Sequence, residues 1–184
     1  MRLIAVDPGD TVSALVLMEP NDRLMVSRYE SNESLLDSLR VLDAEHLAIE
    51  TLHVRGQPTS QNELDTQLWA GRFICAWDGP FTLVRRERVK GHFGASGVSN
   101  PDGVLRESLI GRFGGEAVAV GGKRCRHCNG KGWRGRDHHP CELCKGAGVQ
   151  SHPGVFYGWS GTDLFSACAI ACWWFDTQAK REAS

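Results

Sequence analysis

Apolar and polar residues alternate along this chain with two distinct periods. Arg2 to Val6 (RLIAV), Thr11 to Met18 (TVSALVLM) and Leu24 to Tyr29 (LMVSRY) are short apolar-rich runs. They are separated by the turn formers Asp7-Pro8-Gly9-Asp10 and Glu19-Pro20-Asn21-Asp22. This pattern predicts three strands joined by tight turns, an antiparallel meander. From Glu33 the period lengthens, with Leu35, Leu36, Leu39 and Leu42 at helical spacing. His46 to Glu50 (HLAIE) and Phe81 to Arg86 read as further strands. Gln61 to Trp77 reads as a helix with Leu64, Leu68, Phe73 and Trp77 broadly on one side. Pro101 to Phe113 reads as a helix with proline in its favoured first turn. Ser160 to Gln178 is a last helix, apolar almost all round through ACAIACWWF and so expected to be deeply packed.

Strands that alternate with helices join a sheet in parallel, so the predicted fold is α/β: a mixed five-stranded sheet flanked by helices. The 184 residues fit one domain with an insertion. With 41% hydrophobic residues the chain can build a core. No apolar run is long enough for a transmembrane helix, and the N-terminus meets Asp7 too early for a signal peptide, so an intracellular, cytoplasmic protein of a bacterium or an infected host cell is expected.

Net charge is −1, which by itself does not point to nucleic acid. Its distribution says more, and suggests either a basic accessory element or a plain solvated loop. Between Gly121 and Gly148 seven basic residues face two acidic ones, a net of +5 that leaves −6 for the remainder. The same segment holds Cys125-Arg-His-Cys128 and Cys141-Glu-Leu-Cys144, a C-x2-C-x12-C-x2-C pattern. Zinc favours four soft ligands in a tetrahedron, and each C-x2-C turn supplies two, so a closed structural Zn²⁺ centre is expected. The glycines after each pair (Gly130, Gly132, Gly146, Gly148) give the repeats the form of a DnaJ-type zinc knuckle, which they resemble. Thiolate ligation lowers the local charge to about +3 and keeps it basic. Lys131, Trp133, Arg134 and Arg136 combine a stacking ring with cations, suited to DNA, although Trp133 packing the knuckle onto the body is an equal alternative. Seven cysteines in a chain of this kind argue against a disulfide framework, and Cys75, Cys168 and Cys172 read as small core residues.

Three acids carry the candidate chemistry. Asp7 and Glu50 end the first and fourth strands, and Asp163 opens the last helix. Parallel neighbours would bring Asp7 and Glu50 to one edge of the sheet, where open α/β sheets place ligands. Converging carboxylates repel unless a divalent cation joins them, and Mg²⁺ suits such oxygen donors. Singly, each acid has a plainer role: turn former, surface carboxylate, or helix cap in Ser160-Gly-Thr-Asp163.

Arg2-Leu-Ile-Ala-Val-Asp7-Pro-Gly9, Leu47-Ala-Ile-Glu50, Leu68-Trp-Ala-Gly71-Arg72, Arg88-Val-Lys90 with Gly97, and Asp163 before an alanine-rich helix follow one another in the order of the RuvC-like Holliday junction resolvases, which the chain resembles over about residues 1–120 and 155–176. In its compactness the chain is phage-like. The resemblance implies an RNase H-like nuclease domain (1–120 and 149–184), which the zinc-knuckle insertion (121–148) interrupts, and a homodimer. It implies Mg²⁺ or Mn²⁺ held by Asp7, Glu50 and Asp163, Lys90 as a cation near the scissile phosphate, and paired nicks in branched four-way DNA. Arg55 is a weaker candidate for a DNA backbone contact. The chain departs from the family at Ser160, where a fourth ligand is usual and His152 or Asp10 would have to substitute, and at His53, where an aromatic is common. A nuclease acting on RNA, a catalytically silent branch-binding protein and a chaperone-like zinc module are the competing functions.

Overall fold

The computed structural model describes residues 1–52, 59–122, 128, 131, 133–134, 139–142, 145 and 153–182, with the backbone alone for 133–134 and 179–182. They fall into two compact units, Met1–Arg106 with Gly161–Ser184, and Glu107–Ser160.

The first unit is built on five strands: β1 (Leu3–Asp7), β2 (Val12–Glu19), β3 (Arg23–Ser31), β4 (His46–Thr51) and β5 (Phe81–Arg85). Their spatial order is β3-β2-β1-β4-β5. β1 pairs antiparallel with β2 and β2 with β3, whereas β4 and β5 add in parallel. The expected meander with parallel additions is thus the observed sheet. The loop from β2 to β3 turns on Asn21 and Asp22, both at positive φ (62° and 60°), a conformation these two residue types tolerate.

Alternation along the strands separates two faces. Ile4, Val6, Leu15, Leu17, Leu47 and Ile49 project to one side and are buried against Leu35 and Leu39 of α1 (Asn32–Val41) and Ala70 and Phe73 of α2 (Gln61–Cys75). Asp7 belongs to the opposite face, across which α5 (Asp163–Glu182) packs on β1 and β2. The interior of α5 is buried from Ala167 to Cys172, as its unbroken apolar run predicts. Ser60 and Glu63 cap α2 reciprocally, a capping box written in the sequence as Ser-Gln-Asn-Glu.

The structure corrects three expectations. Leu64 and Leu68 do not join the buried stripe of α2 and are 52% and 54% exposed. At about 100° per residue, nine positions separate Leu64 from the buried Phe73 by half a turn, so the two cannot share a face. Cys75 is exposed, while Cys168 and Cys172 are buried as expected. The strand after α2 ends at Arg85, and Arg86 opens a seven-residue helix, α3 (Arg86–His92), too short to leave an amphipathic signature.

α4 (Pro101–Arg112) runs from the first unit into the second. The second unit also holds a short π-helix (Glu116–Val120), a Gly121–Pro153 bridge, and the ring contacts Phe113–Phe156 and Phe156–Trp159 at 4.8 and 4.7 Å. In the cysteine segment β6 (Trp133–Arg134) pairs antiparallel with β7 (His139–Pro140). Cys128 and Cys141, one from each C-x2-C pair, are buried together. Cys125, Cys144 and Arg136 lie outside the described residues.

Candidate active site

β1 ends in Asp7-Pro8-Gly9, and a polar network fixes the chain that follows. The Gly9 N–H donates to Ser13 Oγ (3.0 Å), Asn32 Nδ2 donates to the Gly9 carbonyl (3.1 Å), and the Ser13 hydroxyl donates to Asn32 Oδ1 (2.5 Å). A Cβ at Gly9 would stand 2.1 Å from the Val12 carbonyl oxygen, so only glycine permits this close turn. Asn32 and Ser13 are buried, which makes their mutual satisfaction obligatory.

Val6 pairs with Ile49 across the parallel β1–β4 ladder, so the next residues, Asp7 and Glu50, stand side by side on one face. In the antiparallel direction Asp7 pairs with Ala14, and Ala14 with Tyr29. One row across the sheet therefore reads Tyr29, Ala14, Asp7, Glu50 and Val84. α5 brings Asp163 and, one turn later, Ser166 to this row. Asp163 accepts the Tyr29 phenol, and Ser166 donates to the Asp7 carboxylate.

Asp7 and Glu50 are 8% and 5% exposed. Burial holds the Asp7 carboxyl well above its usual range, and the charges of Glu50 and Asp163 push it the same way. Arg86 and the Ser166 hydrogen bond act in the opposite sense. Burial also raises Glu50, against the pull of Arg86 and Lys90. The Tyr29 phenol is raised by its hydrogen bond to Asp163. Arg86 Nη1 meets Glu50 Oε1 at 3.3 Å and Nη2 meets Asp102 Oδ1 at 3.8 Å, while Lys90 Nζ reaches Asp102 at 3.2 Å. Burial opposes the Arg86 charge, but Glu50, Asp7, Asp102 and Asp163 together outweigh it. A pocket is lined by Glu50, Arg86, Val89, Lys90, Leu105 and Ser166.

Asp7 therefore lies within electrostatic reach of both Glu50 and Asp163, and Lys90 lies within reach of Glu50. As placed, no three acidic, histidine or cysteine side chains among the described residues stand close enough together to hold a metal ion, and Glu50 leans on Arg86 instead. The donor set nonetheless fits a hard cation. It consists of carboxylate and hydroxyl oxygens, and its buried negative charge exceeds what the nearby arginine neutralises. Asp10 accepts from the neighbouring Thr11 hydroxyl (3.3 Å). Lys131 is exposed. Arg55, His53 and His152 fall outside the described residues. Sequence reasoning missed Tyr29, Arg86, Asp102 and Ser166. Only Ser166 carried a local signal, as the polar residue one helical turn beyond Asp163.

No family model matches the chain, and no curated protein matches it by sequence. Solved structures do match. Thermus thermophilus RuvC in complex with a Holliday junction substrate aligns at a TM-score of 0.60 over 98% of this chain and 96% of that one, with 14% identity. A second structure of T. thermophilus RuvC aligns at 0.56 over 98% and 97%, also at 14% identity. The fold is thus RuvC-like, as the motif order implied. Among the described residues no helix is long and apolar enough to cross a membrane.

Proposed function

We propose that this protein is a metal-dependent endonuclease that cuts branched DNA, a Holliday junction resolvase acting inside the cell. The observation that carries the reading is the approach of Asp163, from α5, to the buried pair Asp7 and Glu50, from β1 and β4, on a RuvC-like fold, with Asp7 repelled by both other carboxylates. These three carboxylates would hold Mg²⁺ or Mn²⁺. When bound, such an ion supplies the charge and Lewis acidity that phosphodiester hydrolysis needs. Ser166 orients the Asp7 carboxylate, and Tyr29 orients that of Asp163. Lys90, tethered to Asp102 at the pocket, offers its charge to a phosphate.

Cys125, Cys128, Cys141 and Cys144 are proposed to bind a structural Zn²⁺, supported by the joint burial of Cys128 and Cys141. Lys131, Trp133, Arg134 and Arg136 of that knuckle, with Arg55, are proposed to contact a DNA arm. Leu64 and Leu68, one turn apart and half exposed on α2, suit the contact surface of a homodimer.

The test is incubation with a synthetic four-way junction, a linear duplex and a hairpin RNA, with Mg²⁺ or with EDTA. Junction-selective nicking that requires Mg²⁺, and that Asp7→Asn abolishes while binding persists, is the expected result. Junction binding without cleavage would instead make the chain a branch-binding protein, and cleavage confined to the RNA would reassign the substrate. Loss of binding together with cleavage in Asp7→Asn would make Asp7 a structural residue.

A further inference from the structure

We propose that the Arg86 guanidinium is a built-in cation of the site, standing in for a second metal, so that the site takes one divalent ion per chain. The inference rests on the hydrolytic reading above and concerns how its charge is balanced.

Arg86 is placed by its neighbours. β5 runs parallel to β4 with Val84 opposite Glu50 and Arg85 opposite Thr51. The chain turns into α3 immediately afterwards, which brings the Arg86 side chain back to Glu50. The two ends of its fork are separately engaged, Nη1 by Glu50 at 3.3 Å and Nη2 by Asp102 at 3.8 Å. Asp102 is itself held by Lys90 at 3.2 Å. An arginine gripped on both sides keeps its place, and its charge is permanent because guanidinium does not deprotonate in proteins.

The charge count follows. Asp7, Glu50, Asp163 and Asp102 bring four negative charges, Arg86 and Lys90 bring two positive ones, and one divalent ion neutralises the remainder. A second divalent ion would overcharge the cluster and would have to separate Glu50 from Arg86.

The experiment counts Mn²⁺ bound by the full-length chain, following loss of the free-ion electron paramagnetic resonance signal. The Asp7→Asn variant serves to subtract ions held elsewhere. One Asp7-dependent ion per chain is expected in the wild type. Arg86→Gln, checked for folding by circular dichroism, is expected to take two, and Arg86→Lys, which keeps the charge, to remain at one. Two Asp7-dependent ions in the wild type overturn the inference and leave the hydrolytic reading standing, and this count requires no variant to fold. A single ion in both the wild type and a folded Arg86→Gln also overturns it. No Asp7-dependent ion at all would remove the metal-dependent reading, and this inference with it.

Discussion

Replacing Asp7 by asparagine removes a charge from a place where it is costly. Asp7 and Glu50 are adjacent on parallel strands, which are about 4.8 Å apart, and two charges about 5 Å apart repel by about 3 kcal/mol at an effective dielectric constant of about 20. Arg86 offsets part of this, and the Ser166 bond weakens somewhat when its acceptor becomes neutral, leaving a net gain of about 1 kcal/mol for Asp7→Asn in EDTA at pH 7. For a chain of 184 residues that is a rise in Tm of about 2–4 °C. The sign depends on pH. The folded-state pKa of Asp7 lies above its ordinary value of 3.8, so the folded protein holds this proton more tightly than the unfolded chain. The associated stability is fully present below pH 3.8 and is lost as pH rises through the raised value. The advantage of the variant should therefore shrink as pH falls toward 3.8, where the Asp7 carboxyl of the wild type is itself neutral. Mg²⁺ should reverse the order, because an ion at about a hundred times its Kd adds about 2.7 kcal/mol to a wild type that binds it and little to a variant that does not. Thermal melts of both proteins across pH, with EDTA or Mg²⁺, test each part. A variant less stable than the wild type in EDTA at pH 7, or a difference that does not change with pH, would refute the electrostatic account of the site.

Other outcomes follow from separate parts of the molecule. Cys128→Ser is expected to lower both zinc content and Tm; a wild type that folds normally without zinc would remove the knuckle. In Asp163→Asn the Tyr29 phenol should return toward its ordinary pKa of 10.0, read by ultraviolet titration in a Tyr157→Phe background; an unchanged value would separate Tyr29 from Asp163. Phe73→Ala empties a fully buried position between α2 and the sheet and should cost about 3–5 kcal/mol in urea denaturation, with much less at the exposed Leu68.

The sequence alone determined the strands, the main helices and the meander with parallel additions, because those follow from local periodicity and the spacing of turns. Two-residue alternation, turn formers such as Pro8-Gly9 and Asn21-Asp22, and the capping box at Ser60 each act within a few residues of themselves. Asp7, Glu50 and Asp163 were legible as candidates because strand ends and helix starts are recognisable positions. Only tertiary structure decided which polar groups meet them. Arg86 and Asp102 reach the site from α3 and α4, and Tyr29 reaches it through a register that runs Asp7 to Ala14 to Tyr29 across three strands. Strand register and helix docking are set by the burial of whole apolar faces, summed over residues far apart in the chain. The partners of a charged group are a consequence of that docking, and no short stretch of sequence carries them.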